Sequence, residues 1–136
     1  MKELIQLTED LLTGVEEMDK DHAELVSMLN HTYQLLYEGK KQEAEKFFQE
    51  KILWYVDYHL TREEKFMESI GYPERERHRK AHENFRRVIT DLAKHIETGN
   101  PNAFKEALAL AWGWLAGHIG KVDKRYGEYA REKGLI

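Results

Sequence analysis

Two pairs of residues near the middle of the chain have the types and spacing to grip a metal ion. His59 and Glu63 are four positions apart, and so are His78 and His82. On an α-helix, four residues advance a side chain by one turn plus only about 40°. Each pair therefore stacks on one helical face, where both members can reach one ion. Between the pairs, Gly71-Tyr72-Pro73 reads as a helix stop followed by a restart. The expected unit is a two-helix hairpin in which an imidazole and a carboxylate face two imidazoles.

Other residues extend the set. His22 and His118 fall on apolar stripes of their own, and Asp123 follows His118 by five positions. Taken singly, these signals are weak. A lone His22 on an apolar stripe reads as a hydrogen-bonded core histidine, and one HxxxH in a charged stretch says little. Glu63 is harder to explain as a surface carboxylate, because the residue one turn on is Met67 and the stripe is apolar on both sides. What decides is convergence. Five imidazoles and two carboxylates spread over four helices would, uncoordinated, be a costly set of buried polar groups. Asp123 is the exception to the spacing, since five residues turn a regular helix about 140° off the face. It joins the cluster only if the helix is distorted or ends there, which Gly117 and Gly120 permit. His31 and His95 fall off the stripes and read as surface residues.

Seven donors are too many for one zinc ion, which usually takes four. They suit two six-coordinate ions sharing two bridging carboxylates and a bridging solvent oxygen. Three histidines would fill one ion, and two would leave the other with an open position. An imidazole-rich, oxygen-bridged octahedral site suits iron. The asymmetry itself predicts one small exogenous ligand at one metal.

The elements that must position these residues are helices. Residues 1–18 lack a sustained stripe and read as an N-terminal arm. Thr13-Gly14-Val15-Glu16 has capping-box spacing, with Asp19 an alternative cap. Helices are expected over about 19–38, 42–69, 74–98 and 101–122, separated by Gly39, Gly71-Tyr72-Pro73 and Gly99-Asn100-Pro101. Both prolines fall in the breaks, and no alternating strand pattern is visible. The fold expected is all-α: an up-down-up-down antiparallel four-helix bundle, a single domain over 1–136 with an N-terminal arm. The 136 residues leave no room for two domains. A hydrophobic share of 41% with 34% charged residues suits amphipathic helices around a shared interior. No apolar run is long enough for a membrane span, and the polar start does not read as a secretory signal. There is no cysteine and so no thiolate chemistry. A net charge of −4 gives no nucleic-acid footprint. Arg75, Arg77, Arg79 and Lys80, interleaved with Glu74 and Glu76, read as solvated surface. Cytoplasm is the default location.

Over nearly its whole length the chain resembles the hemerythrin family, specifically the single-domain bacterial hemerythrins. The motifs that carry the resemblance are Gly14-Val15 to Met18-Asp19-Lys20-Asp21-His22, His59-Leu60-Thr61-Arg62-Glu63-Glu64, His78-Arg79-Lys80-Ala81-His82, and Trp114-Leu115-Ala116-Gly117-His118-Ile119 through Asp123. The resemblance implies two iron ions (Fe2+/Fe3+) joined by a bridging oxo or hydroxo group. His78, His82 and His118 would hold the saturated iron, and His22 and His59 the iron with the open position. Glu63 and Asp123 would bridge. The family's pocket wall maps to Leu25, Leu60, Trp114, Leu115 and Ile119, and such walls exclude water. The residue after His59 is often Phe in the family and is Leu60 here, which could enlarge the pocket. Gly113, Gly117 and Gly120 are expected to serve close helix packing, Trp112 to serve core or surface packing, and Tyr126 to pack or donate a hydrogen bond near Asp123.

Three functions are compatible with this. The first is reversible O2 binding for carriage, storage or delivery to a partner enzyme, by a monomer, with NO or small anions as further ligands. The second is a diiron oxidase, peroxidase or nitric-oxide-handling enzyme. The third is an oxygen-sensing module read by a partner. Oxygen-activating carboxylate bundles combine several Glu with two His, whereas five His with two carboxylates favour reversible binding without catalytic residues. The sensor reading is weaker because no output domain or long linker is attached.

Overall fold

The computed structural model describes residues 12–100 and 102–136, with side chains for all of these but Gly120 and Lys121. Its helices are α1 (Glu16–Tyr37), α2 (Lys41–Phe47), α3 (Leu53–Ser69), α4 (Arg75–Glu97), α5 (Ala103–Gly117) and α6 (Lys124–Glu132). A π-helical turn, Phe48–Ile52, joins α2 to α3, and another, His118–Asp123, joins α5 to α6. With each π turn counted into its helix, there are four long helices in an all-α bundle. α1 packs on the second, the second on α4, and α4 on the fourth.

The first three helices end alike. Gly39, Gly71 and Gly99 follow them with φ of 77°, 65° and 84°. In each case the next residue's N–H returns to a carbonyl five positions back, as Lys40 does to Leu35 at 2.8 Å and Tyr72 to Met67 at 3.0 Å. This left-handed closure needs glycine, because a Cβ would clash there.

Two boundaries and one cap differ from the sequence expectation. Residues 1–11 of the expected arm lie outside the described residues, but α1 already begins at Glu16, so 16–18 belong to the helix. Met18 is buried there. The capping box does not form. Val15 occupies the cap position without a side-chain bond, and Glu16 pairs with Lys20 at 3.5 Å on the surface. Asp19 works in the opposite direction. It accepts from Thr13 N at 2.8 Å, Thr13 Oγ1 at 2.8 Å and Gly14 N at 3.1 Å, folding the preceding loop back over the helix end. The fourth helix does not stop at 122 but runs on through α6 to Glu132.

The buried apolar residues form two clusters. One includes Leu25, Leu29, Phe48, Leu60, Phe85, Leu115 and Ile119. The other comprises Val15, Met18, Met67, Tyr72 and Tyr126. Five of the seven polar site residues fall between these groups along the chain: His22 between Met18 and Leu25, Glu63 between Leu60 and Met67, His78 and His82 between Tyr72, just before α4, and Phe85, and Asp123 between Ile119 and Tyr126, while His59 and His118 each immediately precede a residue of the first cluster, Leu60 and Ile119. The polar layer is therefore sealed at both ends by apolar packing, which keeps water out and strengthens every charge interaction inside. Among the described residues no helix is long and apolar enough to cross a membrane.

Candidate metal centre

Seven side chains meet in the polar layer. The donor atoms of Glu63, His78, His82, His118 and Asp123 all lie within 4.8 Å of one another, and so do those of His22, His59, Glu63 and Asp123. Glu63 and Asp123 belong to both groups, and each divides its two oxygens between them. Glu63 Oε2 lies 3.2 Å from His22 Nε2 and 3.3 Å from His59 Nε2, while Oε1 lies 3.2 Å from His82 Nε2. Asp123 Oδ2 lies 3.0 Å from His22 Nε2, while Oδ1 lies 2.9 Å from His78 Nε2 and 2.8 Å from His118 Nε2. His31 and His95 are exposed and take no part.

Asp123 reaches this position because His118–Asp123 is a π-helical turn. Its i→i+5 bonding widens one turn by a residue, so a five-residue spacing returns to the same face. Gly113 and Gly117 do not serve close helix packing. A Cβ on either would meet nothing within 4 Å, and both are exposed.

The residues fit a pair of cations. His118 Nε2 lies 2.8 Å from His78 Nε2 and 3.0 Å from His82 Nε2. Imidazole nitrogens so close need a shared proton or a cation between them. Glu63 Oε1 and both Asp123 oxygens are buried without a hydrogen bond, a costly state for a carboxylate unless a cation compensates it. Donors bound to one ion at about 2.1 Å in neighbouring positions lie about 3 Å apart, which is the spacing of these nitrogens and oxygens. Imidazole and carboxylate without thiolate suit iron among the transition metals.

Protons and metal compete for this set. Burial alone would lower the pKa of His22, but the close Asp123 and Glu63 carboxylates override it and raise it to about 9. Burial would likewise raise Glu63, yet His59, His22 and His82 hold it well below the usual carboxylate range. For His118 burial prevails and the pKa falls.

Several supporting residues were not singled out by sequence reasoning. His59 Nδ1 donates to Asp21 at 2.8 Å, and Asp21 also accepts from Arg62 at 2.9 Å and Tyr55 at 3.1 Å. His82 Nδ1 donates to Glu64 at 2.9 Å, which Arg86 contacts at 2.9 Å. These bonds fix the tautomer, so each Nε2 presents its lone pair inward. The sequence signal for Asp21 and Glu64 was their place in the motifs that carry the family resemblance, beside His22 and Glu63. Tyr126 is completely buried and donates to Glu63 Oε2 at 2.7 Å, not to Asp123. Burial and the two carboxylates push its pKa well above the ordinary value, so it stays a neutral donor. Trp114 stacks on His118, with centroids 4.1 Å apart and planes at 13°, and on Phe85 at 4.0 Å. Trp112 is half-buried against the core.

A cavity of about 20 Å³ lies beside the centre. Leu25, Leu60, Trp114 and Leu115 line it, together with Leu29, Ile52, Val56, Phe85, Ala111 and His59. Ile119, expected in this wall, is not among the lining residues and is instead buried in the core. The space suffices for one molecule of about the size of water. His59 is the only one of the seven side chains that touches it.

The model of the hemerythrin HHE cation-binding domain matches residues 13–130. The chain belongs to the hemerythrin family. Its relatives include the bacteriohemerythrin of Pseudomonas aeruginosa, 31% identical over 123 residues, or 90% of this chain and 79% of the relative. The bacteriohemerythrin of Methylococcus capsulatus is 30% identical over 115 residues, covering 85% and 87%. That of Clostridium acetobutylicum is 27% identical over 118 residues, covering 83% and 91%. Family membership, the helical bundle and a buried histidine–carboxylate cluster together make this chain a hemerythrin-type protein with a candidate metal site, and iron is the metal the family implies.

Proposed function

We propose that the chain holds two iron ions and binds O2 reversibly at one of them. In this reading His78, His82 and His118 hold one ion, His22 and His59 the other, and Glu63 and Asp123 bridge. The irons would supply the electrons that O2 needs on binding and recover them on its release. The observation that carries the reading is the cavity beside His59. The cluster with fewer histidines is the one that meets an apolar space of about 20 Å³. The chain's own part is to orient the donors through Asp21 and Glu64, and to hold Glu63 through Tyr126. It also keeps water from the bound gas with Leu25, Leu60 and Leu115.

Apart from His59, no acid or base lines the cavity, which supports binding over O–O cleavage. The test is an anaerobic reduction of the iron-loaded protein followed by O2 titration with metal analysis. Two irons per chain and a visible band that grows with O2 and vanishes under vacuum are expected. Irreversible bleaching, or repeated turnover of an added oxidisable substrate, would remove the carrier reading.

A further inference from the structure

Three aromatic residues of α3 supply no donor to the centre but are joined to it. Trp54 and Tyr58, both exposed, stack with ring centroids 5.3 Å apart and planes at 6°. Tyr55 lies against both, at 6.4 Å from Trp54 and 5.8 Å from Tyr58, within the range of direct ring contact. Its hydroxyl donates to Asp21 at 3.1 Å, and Asp21 accepts from His59 at 2.8 Å. A path of contacts therefore runs from an exposed indole to the imidazole that touches the cavity. Arg62 also joins Asp21 to this group and lies over the Tyr58 ring at 5.4 Å. A guanidinium has no electron to yield, so the oxidisable route runs through Tyr55. The other oxidisable rings at the centre adjoin phenyl rings. Trp114 stacks on His118 and on Phe85, and Tyr126 meets Phe66 and His78. A phenyl ring is far harder to oxidise than an indole or a phenol, and the chain has no cysteine to be oxidised first.

We propose that Trp54 and Tyr58 are the surface outlet for oxidising equivalents from the centre, sparing the donor histidines from peroxide. The inference rests on the two-iron reading. Autoxidation of the oxygenated centre leaves both irons ferric and hydrogen peroxide beside them. The ferric ions have no electron ready to give, so further reduction of the peroxide draws on the protein. One electron comes from Trp54 and one from Tyr58, conducted through the Tyr55 ring, which ends unchanged. The indole N–H and the phenol O–H lose their protons to the solvent that both side chains face. Two protons from solvent complete the product: the O–O bond breaks, peroxide becomes two waters, and the irons remain ferric. Trp54 and Tyr58 are left as neutral radicals at the surface, away from the donors. The reaction concerns leftover peroxide, not the binding of O2.

The test adds stoichiometric hydrogen peroxide to the full chain loaded with ferric iron, and to the metal-free chain. Frozen samples are read by electron paramagnetic resonance for organic radicals. Digests are read by peptide mass spectrometry for oxidation at each Trp and Tyr. Oxidation should fall on Trp54 and Tyr58 in the iron-loaded chain and be absent from the metal-free one. Tyr55→Phe, compared at equal bound iron, should lose most of it. The double variant Trp54→Phe, Tyr58→Phe should move the damage inward, to Trp114, Tyr126 or the donor histidines. Equal oxidation of Trp54 without iron would mean attack from solvent and overturn the proposal. So would oxidation confined to Trp114 and Tyr126 in the wild type, or a Tyr55→Phe variant oxidised at Trp54 like the wild type. Peroxide is supplied rather than formed, so a chain that binds O2 reversibly but keeps Trp54 and Tyr58 intact refutes this inference alone. Failure to load two irons, seen in the metal analysis, refutes the reading beneath it.

Discussion

Asp123 Oδ1 lies 2.8 Å from His118 Nε2, although five residues separate them in sequence. A regular helix would point the two side chains about 140° apart. The π turn removes that angle and makes Asp123 the second carboxylate to face both histidine groups. On the proposed two-iron reading, Asp123→Ala should therefore weaken the hold on both ions. The iron content of the purified variant should fall to roughly half or less of the wild type, with the bundle still helical by circular dichroism. Full iron occupancy would take Asp123 out of the site.

The carboxylates behind the histidines should matter nearly as much as the donors. Glu64→Gln leaves the His82 imidazole in place but weakens the bond that fixes its tautomer. Metal affinity should drop about 10–100-fold, whereas His82→Ala should lower iron content well below two per chain. Competition with a graded series of chelators distinguishes these outcomes. An unchanged affinity for Glu64→Gln would mean that Arg86 and Glu64 only decorate the surface.

Asp21 holds His59 on the side of the centre that meets the cavity. Asp21→Asn should loosen that ring and lower affinity for one ion more than for the other. Stepwise iron release under chelation should separate into two phases. A single phase matching the wild type would show that Tyr55 and Arg62 position His59 without the carboxylate charge.

The apolar wall should govern how long a bound gas survives. Leu115 is buried and lines the cavity, so Leu115→Gln brings a polar group and water to it. Autoxidation of the oxygenated protein, followed at its visible band, should accelerate by about tenfold or more. A rate equal to the wild type would discredit the dry wall.

Gly127 is held by packing rather than by backbone angle. A Cβ there would run into the carbonyl of Thr13, in the loop that Asp19 folds over the bundle end. Gly127→Ala should cost about 1–3 kcal/mol in a urea melt, as overpacking usually does. The loss should be similar with and without metal, because Thr13 touches no donor. Wild-type stability would mean that the loop shifts freely.

The sequence by itself determined the number and rough extent of the helices, because apolar residues at helical spacing and glycines at three helix ends leave few alternatives. It also determined which side chains had the chemistry to meet, since four-residue pairs such as His59 with Glu63 share a helical face wherever that helix lies. Tertiary structure decided the rest. The π turn that recruits Asp123 and the helix running on to Glu132 left no clear spacing signal, and the contacts of Tyr126 with Glu63 and Asp21 with His59 join groups far apart in the chain. A side chain's spacing tells which way it points along its own helix, but not what the neighbouring helix places opposite it. That opposition sets which oxygen of Glu63 faces which histidines.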